Sequence, residues 1–452
     1  MQVTRVRALF AALVTGALLT ALVGCDGTDG PAPGPSTPPP PVTPAKLTFA
    51  AWGTEDEIAA YQRVVSDYDS LADDAQVRVE AYGSHDELMA ALDAGEVPDV
   101  FMVSRSDLAK LEEEKLTRPI GTLLDDRGVD FGDGYSRAAL EAFAANRDLQ
   151  CMPYGISPMV IYYNKELVDF ETMAERGLDV PSNPNDDNAR WTLDEFRAAA
   201  EYATRPRRGT SGFYVAPTLR GLSPFVYAGG GQLFDDDEDP TSLAFSSGDT
   251  RSALEKVLPL LRDPKLTLTA GQLSQAPALT WFERGKLGMI AGFRSLVPEL
   301  RQVQGLEFDV IAMPTVDDAA TVGDITGLCI SRATKDVAQS ADLLVNLISS
   351  ESVSAVVRAG YLSPANTRVA LSDAFLQAGR QPAHAQVFNS SVRAMRLPPL
   401  VADFAALEQA VAVPLEQLLE VAVPNLEVLT TQIDEASRTV LSPEDASASP
   451  DD

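Results

Sequence analysis

The chain has 452 residues, of which 45% are hydrophobic and 22% are charged, and its formal net charge is −29 at pH 7. This length is too great for one hydrophobic core and suits two lobes, and the mixed composition predicts a globular protein. So acidic a surface argues against binding to nucleic acid and against electrostatic docking on anionic lipid.

The N-terminus has the pattern of a bacterial secretory signal. A basic segment precedes the apolar run of residues 8–23, which is shorter than the ~20 residues that a transmembrane helix needs. The run ends at Gly24-Cys25, which is similar to a lipobox, in which the Cys is lipidated and becomes the mature N-terminus. We therefore predict a lipoprotein signal peptide over residues 1–24 and a lipid on Cys25. The alternative is an ordinary signal peptide with an incidental Cys.

A Pro-rich tether is predicted to follow, over residues 25–45. This segment is rich in Gly, Pro, Ser and Thr and has no apolar pattern, so it cannot form a core. Its run of prolines over 38–41 favours extended polyproline II, in which a segment of this length reaches roughly 60 Å. Such a tether would hold a folded domain clear of the membrane surface.

From Lys46 onward, predicted strands and helices alternate. The predicted strands are 46–52, 76–82, 97–103, 151–156, 159–163, 308–313 and 327–331. Helices are predicted over 58–71, 86–94 and 106–116, after capping boxes at Thr192–Glu195 and Ser252–Glu255, and over most of the chain beyond 338. This order predicts an α/β fold with mainly parallel sheets flanked by helices, and a ligand beyond the carboxyl ends of the strands. Residues 441–452 are predicted to be a disordered tail.

Two cysteines remain once Cys25 carries lipid. Cys151 and Cys329 form an even pair in an oxidising compartment, so they can form one disulfide. The sequence does not show that their Cα atoms lie within bonding range, and the bonded and free states both stay open.

Eight short motifs occur in an order that resembles a known family. They are Pro98–Phe101, Met152–Gly155, Val160–Leu167, Trp191–Phe196, Gly229–Asp235, Phe282–Met289, Phe308–Pro314 and Gly360–Ala365. Together they resemble the extracellular solute-binding proteins of ABC importers, family 1, a carbohydrate-binding and maltose-binding-protein-like group. The resemblance spans roughly residues 46–440.

The resemblance implies a two-lobe periplasmic-binding-protein fold of class II with a ligand cleft between the lobes. Lobe one would comprise 46–152 plus 313–365, and lobe two 153–312 plus 366–440. Ligand stabilises the closed form, because only that form contacts it from both sides. The implied function is a monomeric substrate-binding lipoprotein on the outer face of the cytoplasmic membrane. It would deliver a sugar or oligosaccharide to the permease subunits of an importer, without a cofactor.

Candidate ligand contacts lie in loops that should face this cleft. Sugars present C–H faces flanked by hydroxyls, so aromatic platforms, planar hydrogen-bonding groups and closely approaching backbone are expected. Trp52 also suits a core position, and Arg294 suits either a surface ion pair or bidentate contact with an acidic sugar. The candidates are Trp52, Ser104, Arg105, Tyr154, Tyr227, Gly230, Phe293, Arg294 and Tyr361.

Catalysis is the competing class of function. The chain has two histidines, His85 and His384, which leaves little material for a histidine triad or a multi-histidine metal site. It has no Gly-x-Ser-x-Gly, His-Glu-x-x-His or Walker motif, and the acidic run Asp235–Asp239 lacks the spacing of a calcium loop. We therefore predict a binding protein without a metal site and not an enzyme. The alternatives are a receptor of the same fold for a polyamine or an organophosphate, and a surface glycan hydrolase.

Overall fold

The computed structural model describes residues 43–132, 134–145, 147–184, 186–420 and 425–443. The predicted signal peptide, Cys25, nearly all of the tether and most of the predicted tail lie outside these residues. Within the described residues, no single helix is long and apolar enough to cross a membrane. Two consecutive helices, Val337–Ile348 and Ser350–Val357, reach the required length and apolar composition only when taken together, and they are bent by 57° relative to each other.

The described residues contain twelve β-strands in two main sheets and one short hairpin. We call lobe one the part built on the six-stranded sheet. Five of its strands lie in the order β2-β1-β3-β12-β4, and the sixth, β7, pairs with β12. Lobe two is the part built on the four-stranded sheet β11-β8-β10-β9. The strands are β1 Ala45–Trp52, β2 Ala75–Tyr82, β3 Val100–Ser104, β4 Thr117–Arg118, β5 Ala144–Ala145, β6 Asp148–Leu149, β7 Cys151–Pro158, β8 Val160–Asn164, β9 Ser211–Tyr214, β10 Leu287–Gly292, β11 Phe308–Ile311 and β12 Gly323–Ser331.

Nineteen α-helices pack on these sheets within the described ranges. The first packs on β2 of lobe one, and the eleventh packs on β10 of lobe two. In chain order the helices are α1 Glu55–Leu71, α2 His85–Asp93, α3 Leu108–Glu113, α4 Gly121–Asp125, α5 Arg137–Ala142, α6 Phe170–Glu175, α7 Leu193–Ala203, α8 Leu219–Ala228, α9 Gly248–Leu261, α10 Ala270–Leu273, α11 Ala278–Glu283, α12 Val297–Gln302, α13 Val337–Ile348, α14 Ser350–Val357, α15 Thr367–Ala370, α16 Asp373–Leu376, α17 Gln386–Ser391, α18 Phe404–Glu420 and α19 Leu426–Leu441.

One of the two predicted capping boxes is confirmed and the other is wrong. At the start of α7, Thr192 accepts a hydrogen bond from the backbone of Glu195, whose side chain bonds back to the backbone N–H of Thr192. The Ser252 box does not form, because α9 begins a full turn earlier. There Ser247 is the N-cap and accepts from the backbone N–H of Thr250 at 3.2 Å.

The sheets are mixed, whereas mainly parallel sheets are predicted. In lobe one, β1 pairs in parallel with β2 and β3, but β12 runs antiparallel to β3, β4 and β7. In lobe two, β10 is parallel to β9, while β8 is antiparallel to β10 and β11. A helical crossover within one sheet makes the next strand parallel. The strands β7 and β12 instead lead to or from the other lobe, so that constraint does not apply to them.

The chain first crosses between lobes later than predicted. The strand β7 stays in the lobe-one sheet along its whole length, pairing from Cys151 opposite Cys329 to Pro158 opposite Gly323. The crossing therefore lies at Met159, between β7 and β8, and not near Pro153. The two paired cysteines are buried and joined by a disulfide.

The second crossing is also later than the predicted 312–314. After β11 the chain stays on lobe two, where the backbone N–H of Thr315 donates to the carbonyl of Trp191 at 2.8 Å. It enters the lobe-one sheet only at Gly323, where β12 begins. Pairing with β7 holds the start of β12 in lobe one, so the predicted boundary at 313 moves to Gly323.

Lobe one does not end at 365 as predicted. Asn366 forms a bridge with Tyr135, and Phe375 on α16 is buried in the same core as α14. The next helix, α17, contacts β7 of lobe one and β8 of lobe two. Helices α18 and α19 belong to lobe two, where the Asp434 carboxylate accepts from the backbone N–H of Phe245 at 2.7 Å.

Candidate ligand-binding site

A cavity of about 420 Å³ lies beyond the carboxyl ends of β1, β2 and β3 and receives side chains from both lobes. Ligand pockets commonly have volumes of about 300–1,000 Å³. Parallel strands end together at this edge of the sheet, so the loops that follow them converge. Lobe two contributes Arg220, Phe293 and Ser295, and lobe one contributes Trp52, Gly53, Glu57, Tyr61, His85, Met102, Ser104, Ser106, Gly155, Ile156, Ser157, Asp324, Ile325, Thr326, Tyr361, Leu362 and Ser363.

Aromatic rings stand on both sides of the cavity. Trp52 and Tyr361 lie on the lobe-one side and Phe293 on the lobe-two side, and all three are partly exposed. The Trp52 indole packs edge-on against the His85 ring, with 5.2 Å between centroids. Hydroxyl groups of Ser104, Thr326 and other lining residues stand among these rings, so the cavity can hold a molecule that has both apolar and hydrogen-bonding faces.

A histidine–carboxylate pair supports the rim beside Trp52. Nε2 of His85 lies 2.8 Å from Oδ2 of Asp107, and the same oxygen accepts from the backbone N–H of Ser104 at 2.8 Å. The hydrogen bond with Asp107 raises the pKa of His85. The sequence predicts a surface or helix histidine here, and it gave no sign that His85 would reach the cavity.

Glu57 brings a carboxylate to the cavity from the first turn of α1. Its Oε2 accepts from the backbone N–H of Thr54 at 3.0 Å and from the Thr54 hydroxyl at 3.2 Å, and burial raises the pKa of Glu57. Gly53 has a φ of +154°, and a Cβ there would lie 2.8 Å from Oε2 of Glu57. The Thr-x-x-Glu capping pattern directly after β1 is a sequence signal for this arrangement that was missed.

An ion pair joins the two lobes across the cavity. Arg220, in the first turn of α8, donates from Nη1 to Oδ1 of Asp324 on β12, and both side chains are 41% exposed. The Arg220 guanidinium also lies over the Phe293 ring, 5.5 Å from its centroid. Sequence reasoning missed this pair, because its members lie 104 residues apart and in different lobes.

The predicted contact residues divide into three groups. Trp52, Ser104, Phe293 and Tyr361 line the cavity, and their contact with a ligand stays a prediction. Arg105 lines an adjoining cavity of about 60 Å³, and Tyr227 lines another of about 60 Å³. Both small cavities share Arg220 with the main one. Burial lowers the pKa of Arg105 to about 10 and raises the pKa of Tyr227.

Arg294 belongs to the third group, which does not reach the cavity. Its side chain is fully buried, and its guanidinium donates from Nε to the carbonyl of Gly360 at 3.1 Å and from Nη2 to that of Phe375 at 3.3 Å. The rings of Phe375 and Phe388 enclose it, at 4.6 and 5.4 Å from its centre. The predicted ligand contact is therefore wrong, because the side chain has no exposed surface and does not line the cavity.

Tyr154 and Gly230 also lie away from the cavity. Tyr154 is 2% exposed and packs in the lobe-one core, 6.1 Å from the ring of Tyr61, while its neighbour Gly155 faces the cavity instead. Gly230 follows α8 with a φ of +85°, in a run of glycines whose missing side chains let α8 pack against α9. A Cβ at Gly229, for example, would lie 2.7 Å from that of Ala253.

The acidic run Asp235–Asp239 forms a hydrogen-bonded turn. Asp235 accepts from the backbone N–H groups of Thr241 and Ser242, and Asp236 accepts from those of Glu238 and Asp239. Across the described ranges, no group of three or more His, Cys, Asp or Glu side chains is arranged to hold a metal ion.

Comparison with known proteins assigns the chain to a family. Residues 64–383 match the family described as "Bacterial extracellular solute-binding protein". A curated relative, an uncharacterized lipoprotein in the oleD 5′ region of Streptomyces antibioticus, is 26% identical over 242 residues, which cover 52% of this chain and 49% of the relative. The chain thus spans about half the length of the curated relative it matches.

Solved structures with similar folds cover nearly the whole folded part. An ABC substrate-binding protein of Listeria monocytogenes, in complex with cycloalternan, has a TM-score of 0.72 at 19% identity over 88% of this chain and 99% of that one. The GacH receptor of Streptomyces glaucescens has a TM-score of 0.69 at 16% identity, over 88% and 99%. The maltotriose binding protein of Thermus thermophilus has a TM-score of 0.65 at 15% identity, over 87% and 99%. The predicted two-lobe binding-protein fold of class II is confirmed, and the chain belongs to the bacterial extracellular solute-binding protein family.

Proposed function

We propose that this protein is the substrate-binding lipoprotein of an ABC importer and that it captures a small carbohydrate in the cavity between its lobes. The carbohydrate is bound, not cleaved, and the liganded protein presents it to the permease subunits. Cys25 carries the lipid, and the Pro-rich segment tethers the receptor to the outer face of the cytoplasmic membrane. No cofactor takes part, and the receptor acts as a monomer.

The observation that carries this proposal is the lining of the cavity. Three partly exposed aromatic rings, those of Trp52, Phe293 and Tyr361, stand among serine and threonine hydroxyls and the charged groups of Glu57 and Asp324. The C–H faces of a sugar ring pack on aromatic surfaces while its hydroxyls need many donors and acceptors, so this mixture of groups fits a carbohydrate. Because both lobes supply lining groups, a ligand there stabilises their approach.

Proteins of the same fold support the choice of ligand class. They include complexes described with cycloalternan, acarbose, maltotriose, maltotetraose and α-D-tagatose, at 15–19% identity to this chain. These names concern those proteins. They favour sugars here as the first ligands to test, because this chain shares their fold.

A thermal-shift screen tests the proposal on the full-length protein in detergent. Ligand that binds only the folded state stabilises it by about 2.7 kcal/mol at a concentration of 100 Kd. We expect a rise in melting temperature with at least one of glucose, galactose, maltose and maltotriose, and chromatography should recover that sugar unchanged. A shift with putrescine or glycerol 3-phosphate and with no sugar would overturn the carbohydrate assignment, and cleavage of the sugar would indicate a hydrolase.

A further inference from the structure

Four side chains that carry or can gain a charge near neutral pH line the cavity, and their charges do not balance. They are the carboxylates of Glu57 and Asp324, the guanidinium of Arg220 and the imidazole of His85. The imidazole faces its own carboxylate partner, Asp107, which is 9% exposed. Two carboxylates against one guanidinium leave one negative charge in the lining without a partner.

The guanidinium is already engaged. Arg220 donates from Nη1 to Asp324 and lies over the Phe293 ring, so its positive charge is already partly neutralised before an anionic ligand arrives. Arg294 is sealed behind Phe375 and Phe388, and Arg105 lines the adjoining cavity and not this one. In the described lining, each cationic group therefore already faces a carboxylate, which makes the cavity unfavourable for an anion.

Glu57 holds the unpaired charge. Only one of its carboxylate oxygens, Oε2, is used by the Thr54 cap, and within the described residues Oε1 accepts no hydrogen bond. The burial that raises the pKa of Glu57 means that this charge is partly removed from water. A positively charged donor would stabilise the partly desolvated Glu57 carboxylate better than a neutral hydroxyl would. Hydrogen bonds in which both groups are charged are stronger than those from a neutral donor.

We propose that the cavity selects a carbohydrate that carries an amine, with Glu57 as the specificity-determining partner of the ammonium group, and that the Arg220–Asp324 pair rejects acidic sugars. This inference rests on the proposed carbohydrate function and names the ligand within that class. It assigns the site to amino sugars in preference to their neutral and uronic acid counterparts.

The test compares matched sugars by calorimetry on the full-length protein, at a pH at which the amine is protonated. The probes are glucose, glucosamine and glucuronic acid, and the corresponding galactose series. In the wild-type protein the amino sugar of at least one series should bind about tenfold more tightly than its neutral counterpart, and the uronic acid should bind most weakly.

Three variants locate the effect. Glu57→Gln keeps an oxygen for the Thr54 cap, since Gln also completes a capping box, and should abolish the preference for the amine over the neutral sugar. Asp324→Asn frees Arg220 and should strengthen uronic acid binding by about fivefold. Asp317→Asn is the matched control, because it breaks an ion pair with Lys256 outside the cavity and should change neither preference.

The outcomes separate the two proposals. If no sugar of either series binds and no sugar shifts the melting temperature in the screen, the carbohydrate function fails and this inference fails with it. If a neutral sugar binds and its amine counterpart binds no better, or if Glu57→Gln retains the preference, the function stands and the amine inference is overturned. Unchanged uronic acid binding in Asp324→Asn would refute the role given to the ion pair.

Discussion

Replacing Arg294 with Met separates a structural role from a role in binding. Met fills much of the space of the arginine stem but removes the guanidinium, which is fully buried. Two backbone carbonyls, those of Gly360 and Phe375, then lose their donors. We expect the protein to become less stable while its affinity for ligand stays the same.

The magnitude follows from the contacts that are lost. Hydrogen bonds from a charged donor contribute about 1.5 kcal/mol or more each, and the two cation–π contacts, with Phe375 and Phe388, together add about 1 kcal/mol. Their sum is about 4 kcal/mol or more, and the variant offsets part of this loss because it no longer buries a charge. Burial lowers the pKa of Arg294 to about 10, which shows that this charge is costly to keep in place. We therefore expect Arg294→Met to lower the free energy of unfolding by about 2 kcal/mol.

Urea unfolding followed by circular dichroism measures this loss, and calorimetry with the sugar found in the screen measures affinity. Arg137→Met is the surface control. That side chain is 91% exposed and pairs with Glu141 one turn away, so its replacement should change stability by less than about 0.5 kcal/mol. A large loss of affinity in Arg294→Met with an unchanged urea midpoint would refute the structural assignment.

Three further results are expected. Trp52→Ala should weaken sugar binding by about tenfold at a nearly unchanged melting temperature. Trp281 lies outside the cavity, so Trp281→Ala should leave affinity intact. Unfolding of Trp52→Ala without loss of affinity would indicate a core role for Trp52. The carboxylate of Asp107 raises the pKa of His85, so the protonated imidazole stabilises the folded wild type at low pH. As pH rises from below about 6.5 through that raised pKa, the wild type should lose stability relative to His85→Gln. Parallel pH profiles of melting temperature for the two proteins would contradict this. Replacing both Cys151 and Cys329 with Ala should lower the free energy of unfolding in urea by up to about 5 kcal/mol, because the disulfide closes a loop with a sequence separation of 178. Equal stability of the variant and the oxidised wild type would exclude this.

Strands and helices were predictable where local periodicity decides them. The first strand and the helix after it were predicted as 46–52 and 58–71, and the structure has them at Ala45–Trp52 and Glu55–Leu71. The direction of strand pairing was not predictable from such patterns. It depends on whether a strand is reached by a helix on the same sheet or by a crossing from the other lobe, as for β7 and β12.

The candidate site was predictable only in part, and two of the errors, at Arg294 and Tyr154, have the same cause. Phe293 and Arg294 were both predicted to contact ligand, yet the backbone at Phe293 is extended, with φ −107° and ψ 171°, so neighbouring side chains point in opposite directions. Phe293 faces the cavity and Arg294 faces the core. The same alternation separates Tyr154 from Gly155 on β7. Periodicity shows that one member of each pair faces away, but only the packed structure shows which.

The charge of the whole chain and the charge of the cavity act over different distances. A net charge of −29 attracts any cation and repels any anion over the surface, but at physiological ionic strength this field is screened beyond about 8 Å. Glu57 acts within contact distance, where screening is weak. Its replacement by Gln changes the net charge only from −29 to −28, which leaves the long-range field almost the same. A preference for amines that disappears in this variant therefore cannot come from the acidic surface, and it assigns the selectivity to one carboxylate inside the cavity.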